Sequence, residues 1–185
     1  NVINPDDIVN DFGAGTFRTY EMFIGAFDQA TPWSMQGVKG CLRFLERVWR
    51  LSDLVQEVEM TKEREALLHG MIKKVSEDIE NLKYNTAIAA LMTLINEIYD
   101  AGSITKAELK TFVTLLNPFA PHITEEINSV MNFSGMLANG NWPEYDEAKC
   151  VDAEIEIAVQ APVISIPSAR PRFTESRPRT AFLWI

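Results

Sequence analysis

The sequence contains little cysteine, little histidine and no long hydrophobic run. Its 185 residues include two cysteines and two histidines, which are too few for a disulfide scaffold and show no spacing typical of a zinc site. No apolar run approaches the roughly 20 residues that a membrane-spanning helix needs. These absences predict a soluble protein of the reducing cytoplasm that has no metal ligands.

The chain also lacks an initiator methionine and the basic stretch that opens a signal peptide. We therefore expect it to begin inside a longer polypeptide. The composition is typical of a globular domain, since 46% of the residues are hydrophobic and 23% are charged. A chain of this length can bury a sizeable core.

Negative charge dominates the chain but is unevenly distributed. The formal net charge is −9. Residues 161–185 hold four arginines and one glutamate, so this stretch carries +3 and residues 1–160 carry −12. An acidic body argues against indiscriminate nucleic-acid binding. A local polyanion site is still possible, because phosphate contacts depend on where the cations cluster.

Apolar residues recur at helical spacing over most of the chain. Capping residues, prolines and glycines divide this pattern into segments, and Pro32, Gly102 and Pro118 limit how far individual helices can run. The predicted helices start near Pro5, Thr16, Ser34, Thr61, Tyr84, Thr105 and Pro121. We expect five or six helices in an antiparallel bundle, with Trp49 and Leu82 on inward faces.

The period changes after Trp142-Pro143. Apolar residues at 155, 157 and 159 alternate with polar ones, which is typical of a strand. Residues 167–179 place prolines between arginines and show no period, which predicts an irregular tail. The predicted fold class is mainly α, an antiparallel helical bundle with a short β segment and an irregular tail at the C-terminus.

A basic stripe is predicted on the helix that follows Ser34. Its cations are separated by four, four and three residues, so they fall within a stripe roughly 80° wide. Arginine forks fit phosphate groups, and a tryptophan lies one turn ahead of the helix. We therefore predict a tRNA-binding site formed by Lys39, Arg43, Arg47, Arg50 and Trp33.

The alternative interpretation of the stripe is a solvated helix face whose arginines pair with Glu46 and Asp53. Other candidate sites have less support. His122 has no second histidine or fixed triad beside it, and the Asp6-Asp7 pair fits the positive end of a helix dipole. We assign no catalytic, cofactor-binding or metal-binding residue.

A series of short motifs follows a fixed order along residues 1–160. In that order they resemble the part of a leucyl-tRNA synthetase, a class I aminoacyl-tRNA synthetase, that directly follows the KMSKS signature. Valyl and isoleucyl synthetases share the general layout but lack the Tyr-Glu-Met-Phe and Pro-Trp-Ser combinations. The motifs are Asn1-Val2-Ile3-Asn4-Pro5-Asp6-Asp7-Ile8-Val9, Tyr20-Glu21-Met22-Phe23, Thr31-Pro32-Trp33-Ser34, Arg47-Val48-Trp49-Arg50, Phe119-Ala120-Pro121-His122-Ile123 and Trp142-Pro143.

The chain departs from the family pattern at several places. Gly15 stands where the family usually has aspartate, and Asn128 stands where a tryptophan is common. Residues 161–185 do not resemble the family. The resemblance therefore covers about residues 1–160.

The resemblance implies a stem-contact region at 1–33, an anticodon-binding-type helical bundle at 34–145, and the start of a C-terminal domain with an irregular tail at 146–185. It implies a role in the ATP-dependent attachment of leucine to tRNA(Leu) in the cytoplasm. ATP and magnesium would be bound elsewhere in the full-length enzyme and not by this chain. The catalytic and editing domains would precede Asn1, so no catalytic residue carries over.

The implied partners are tRNA(Leu) and the upstream catalytic domain of the same polypeptide. Without that domain Phe17, Phe23 and Phe27 would lose their cover, which favours a dimer of the fragment through its exposed apolar surface. Two alternatives stay open for the function. The chain could belong to a valyl- or isoleucyl-type synthetase, or it could be a non-catalytic helical module that binds proteins.

Overall fold

A computed structural model describes residues 3–26 and 28–150 of the chain. Seven α-helices lie in these residues, one near each of the seven predicted starts, and they confirm the predicted mainly α fold, for which a bundle of five or six helices was expected. The strand predicted near 155–159 and the irregular tail lie outside the described residues. The helices are α1 (Pro5–Phe12), α2 (Ala14–Phe23), α3 (Met35–Arg50), α4 (Lys62–Glu80), α5 (Tyr84–Ala101), α6 (Lys106–Leu116) and α7 (Pro121–Val130).

Side-chain caps define the starts of four helices, because the first backbone N–H groups of a helix have no partner within it. Asn4 Oδ1 accepts from the Asp6 N–H at 3.2 Å, and Ser34 Oγ accepts from the N–H of Gly37 at 3.2 Å. Thr61 caps α4 in the same way. At α6, Thr105 and Glu108 form the predicted reciprocal capping box.

Helix α5 forms the centre of the bundle. The three-residue turn 81–83 reverses the chain after α4, so α4 and α5 pack against each other in antiparallel orientation. Helix α5 also contacts α2, α3 and α6. It contributes buried apolar side chains over its whole length, namely Ala87, Ile88, Ala90, Leu91, Leu94, Ile95 and Ile98.

A second, smaller core joins α1 and α2 to α3. It consists of Ile8, Tyr20, Val38 and Cys41, with Phe17 and Phe23 half-buried against it. The first two helices are therefore packed on the bundle. Phe27 lies outside the described residues.

Two glycines of α3, three residues apart, give opposite predictions for the effect of an added side chain. A Cβ at Gly37 would lie 2.6 Å from Tyr20 Cε2, so Gly37→Ala should lower the free energy of unfolding by about 1–2 kcal/mol. A Cβ at Gly40 meets nothing within 4 Å, so Gly40→Ala should raise it by about 0.5–1 kcal/mol. Urea denaturation of the two variants measures both effects, and equal effects would contradict this packing of α3 on α2.

Two inward positions predicted from the periodicity are wrong. Trp49 is 42% exposed, because α3 is held to the core by the neighbouring positions Cys41, Leu45 and Val48. Leu82 is 54% exposed. Helix α4 ends at Glu80, and Leu82 lies in the following turn with a left-handed φ of 57°.

Residues 142–149 lie along α4 in the opposite chain direction. Trp142 Nε1 donates to Ser76 Oγ at 2.7 Å, and the Asp146 N–H donates to His69 Nδ1 at 3.0 Å. A salt bridge of 2.7 Å joins Lys149 to Glu65 near the start of α4. These contacts hold the end of the described chain on one face of α4.

Asn128, at the position where the resemblance leads one to expect a tryptophan, belongs to a polar cluster behind α7. Its Nδ2 donates to the Gly135 carbonyl at 2.7 Å and to Glu125 at 3.2 Å. The same carboxylate accepts from the N–H groups of Leu137 and Ala138. Hydrogen bonds thus order the turn after α7 at this position.

No helix in the described part of the chain is long and apolar enough to cross a membrane.

Candidate nucleic-acid interface

Helix α3 presents the four predicted cations on its outer side. The apolar residues Val38, Phe44 and Val48 face the core. The opposite side of the helix therefore faces solvent. The cations differ in exposure, since Arg47 is half-buried and the other three are exposed. The exposed three are Lys39, Arg43 and Arg50.

The exposed cations of α3 form no salt bridge with any carboxylate in the described part of the chain. The salt bridges within the described residues involve none of Lys39, Arg43 and Arg50. The alternative interpretation, in which Glu46 and Asp53 neutralise the arginines, therefore finds no ion pair in the described part of the chain. We call these three residues together with Arg47 the α3 ridge. On a chain with a net charge of −9 it is a local cluster of positive charge.

Arg47 is held by α5, which sequence reasoning missed. Its Nη1 donates to Asn96 Oδ1 at 2.8 Å, and its guanidinium carbon lies 4.6 Å from the centroid of the Tyr99 ring. The Tyr99 hydroxyl in turn donates to the Arg47 carbonyl at 3.0 Å. Asn96 and Tyr99 follow Arg47 by 49 and 52 positions, and no pattern in the sequence pairs residues so far apart. This contact could therefore be identified only from the structure.

Trp33 packs at the entry to α3. Its ring packs edge-on against Tyr20, with centroids 4.8 Å apart, and Nε1 donates to Met35 Sδ at 3.2 Å. The Tyr20 hydroxyl accepts from the Ser34 N–H at 2.7 Å, and burial is the main cause that raises the pKa of Tyr20 above its usual value. Trp33 thus fastens the entry to α3 onto α2, and it lines a different hollow from those lined by Lys39, Arg43 and Arg50.

An open groove runs between α1 and α3 beside the ridge. It consists of two adjoining hollows of about 410 and 590 Å³ that share Phe12 and Leu42. Trp49 and Arg50 line one hollow, and Arg43 lines the other. The interface thus combines exposed cations with a neighbouring apolar surface.

Two kinds of reactive group, a metal-ligand cluster and an activated cysteine, were sought among the described residues. No group of three His, Cys, Asp or Glu side chains among them could hold a metal ion. Cys41 is fully buried, and this burial raises the pKa of its thiol to about 12, so it is not a thiolate nucleophile. The arrangement on α3 is suited to binding an anionic polymer.

Comparison with known proteins assigns the bundle. The anticodon-binding domain of tRNA ligase matches residues 62–173. The chain belongs to this family. The chain is 58% identical over 161 residues to the leucine–tRNA ligase of Alkaliphilus oremlandii. That match covers 86% of this chain and 20% of the relative.

Two further relatives give the same assignment. The leucine–tRNA ligase of Leptospira biflexa is 43% identical over 167 residues, covering 86% of this chain and 19% of the relative. Among solved structures, LeuRS of Agrobacterium radiobacter K84, in a ternary complex with tRNA and LeuAMS, aligns with a TM-score of 0.71 and 30% identity. It covers 81% of this chain and 22% of that chain. The chain thus spans about one fifth of the length of the curated relatives it matches.

Proposed function

We propose that this chain is the tRNA-binding helical bundle of a leucine–tRNA ligase, which activates leucine with ATP and transfers it to tRNA(Leu). The identity of 58% to a leucine–tRNA ligase, over 86% of this chain, carries the proposal. The exposed cations of the α3 ridge support it, because phosphate contacts supply much of the affinity of proteins for nucleic acids. By itself the chain is expected to bind tRNA and to catalyse nothing.

The division of labour within the ligase follows from this proposal. Residues 1–33 would contact the stem of the tRNA, residues 34–145 would form the anticodon-binding-type bundle, and residues 146–185 would begin a C-terminal domain. The ligase would act in the cytoplasm. ATP and magnesium would be bound by parts of the ligase outside this chain.

The groove between α1 and α3 is the proposed contact with the catalytic domain. Phe12, Leu42 and Trp49 give it an apolar surface next to the ridge. When the catalytic domain is absent, we propose that the same surface pairs two copies of the chain. Light scattering over a wide range of concentration tests the pairing, and a monomer at every concentration would contradict it.

A segment exchange tests the proposed function. Residues 1–160 of this chain would replace the matching segment of the Alkaliphilus oremlandii leucine–tRNA ligase. The chimera should attach leucine to tRNA(Leu) with kcat/KM within about tenfold of the parent enzyme, a change of about 1.4 kcal/mol in transition-state free energy.

The matched control places the same segment in an isoleucine–tRNA ligase, where charging of tRNA(Ile) should fall much further. A folded leucine chimera without activity would argue against a leucine-ligase origin. Equal activity in both enzymes would show that the segment is not specific to leucine–tRNA ligases.

A further inference from the structure

We propose that Arg47, Asn96 and Tyr99 form a preorganised fork that binds one phosphate of the RNA backbone. We call these three residues the α3–α5 fork. The inference rests on the proposed function, since it takes RNA as the ligand of the α3 ridge. It names Arg47 as the contact residue, and Asn96 and Tyr99 as positioning residues.

The guanidinium of Arg47 is fixed in place from two directions. Asn96 Oδ1 accepts from Nη1 at 2.8 Å, and the Tyr99 ring lies 4.6 Å below the guanidinium carbon. The ring itself is fixed, because the Tyr99 hydroxyl donates to the backbone carbonyl of Arg47 at 3.0 Å. A long side chain held this way loses little further freedom when it binds a ligand.

The fixed guanidinium keeps both its charge and its donors for a ligand. Arg47 takes part in no salt bridge within the described residues. Its hydrogen bond to Asn96 uses one of five N–H donors, and its guanidinium forms no other hydrogen bond in the described part of the chain. Arg47 is only half-buried, so its guanidinium remains accessible to a ligand. A planar guanidinium with unused donors matches the oxygen pair of a phosphodiester.

The other cations of the α3 ridge lack this support. Lys39, Arg43 and Arg50 are exposed and have no hydrogen-bonding side-chain partner among the described residues. We therefore assign them phosphate contacts that depend on charge alone, and assign Arg47 an oriented contact, which depends on geometry. An alternative role for Arg47 is purely structural, as a link between α3 and α5.

Substitutions that conserve charge separate these roles in the 185-residue chain, with tRNA(Leu) affinity measured by fluorescence anisotropy. Arg47→Lys keeps the charge but loses the fork, so the affinity should fall about tenfold, as expected for one charge-assisted hydrogen bond. The salt dependence should stay unchanged. The control is Arg64→Lys, because Arg64 also links two parts of the bundle, through the Ser103 carbonyl at 3.0 Å and Glu108 at 2.9 Å, and lies outside the α3 ridge.

A second pair of variants tests the positioning residue. Asn96→Asp places a carboxylate beside Arg47, which should occupy the guanidinium and lower the affinity by more than tenfold while the fold is kept. Asn132→Asp makes the same charge change at an exposed residue after α7 and should alter the affinity by less than about twofold. Thermal unfolding of all variants accompanies the binding measurements.

The outcomes are distinguishable. The fork is supported if Arg47→Lys and Asn96→Asp weaken binding while Arg64→Lys and Asn132→Asp do not. It is overturned if Arg47→Lys changes only the thermal stability. It is also overturned if each test variant changes the tRNA affinity no more than its control does. If charge reversal at Arg43 and Arg50 still weakens binding in that case, the proposed function stands. Absence of any binding by the unsubstituted chain would overturn the proposed function and the fork together.

Discussion

Replacing both Arg43 and Arg50 by glutamate is expected to lower the affinity of the chain for tRNA(Leu) roughly hundredfold at about 0.1 M salt. Each substitution removes an exposed cation from the α3 ridge and introduces an anion that repels phosphate. Both side chains are exposed and make no salt bridge among the described residues. The fold should therefore be little affected.

The control for this charge reversal places the same charge change outside α3. Lys62 and Lys83 are exposed, at the first turn of α4 and just before α5. Lys62→Glu combined with Lys83→Glu gives the same net charge as the ridge variant. If the ridge binds RNA, the control should lose far less affinity. Equal losses would mean that overall charge governs binding and that the ridge is not the interface.

Replacing Arg64 by methionine is expected to lower the free energy of unfolding by about 3 kcal/mol, because it leaves a buried carboxylate without its cation. Arg64 Nε and Nη2 donate to the two Glu108 oxygens at 3.0 and 2.9 Å. Nη2 also donates to the Ser103 carbonyl at 3.0 Å. This cluster joins α4 to the turn before α6, so its loss affects the whole bundle.

The effect of Arg64→Met should depend on pH. Burial is the largest single influence on Glu108 and raises its pKa, yet hydrogen bonds from Arg64 and Thr105 together hold that pKa below its usual value. The stability from the charged form is therefore complete above the unfolded pKa of about 4.3, and is lost as the pH falls through the lower pKa of the folded state. Urea denaturation should show the largest difference between wild type and variant at neutral pH.

Glu108→Gln is the matched variant for this experiment. In the wild type the Thr105 N–H donates to a Glu108 carboxylate oxygen at 2.7 Å. The glutamine keeps an oxygen that can accept this hydrogen bond, but the glutamine side chain carries no charge. Adding Arg64→Met to it should cost much less than adding Arg64→Met to the wild type. Additive losses in this double-mutant cycle would show that the two side chains do not stabilise the fold as a pair.

Local signals in the sequence were sufficient to predict where most helices begin. The caps at Asn4, Ser34 and Thr105 depend on residues at most three positions away, and Gly102 ends α5 with the left-handed φ of 67° that glycine adopts easily. The mainly α fold follows from such signals together with the helical spacing of apolar residues.

Features that depend on distant residues could not be predicted in this way. The spacing of the four cations predicts a common stripe, and the structure places them on the outer side of α3. The capture of Arg47 by Asn96 and Tyr99 depends on how α3 packs against α5. The exposure of Trp49 likewise depends on which positions of α3 reach the core. The spacing of residues along a helix predicts which of them share a face. It does not predict which other helix packs against that face.

The dependence of tRNA(Leu) affinity on salt tests the central claim most directly. Contact of the α3 ridge with three or four phosphates predicts that log K falls linearly with log salt, with a slope of about −3, using roughly 0.7–0.9 per phosphate contacted. The Arg43→Glu, Arg50→Glu variant should show a slope smaller in magnitude by about 2. A wild-type affinity that does not change with salt, or a slope that the ridge substitutions leave unaltered, would contradict the assignment of this helix as the tRNA contact.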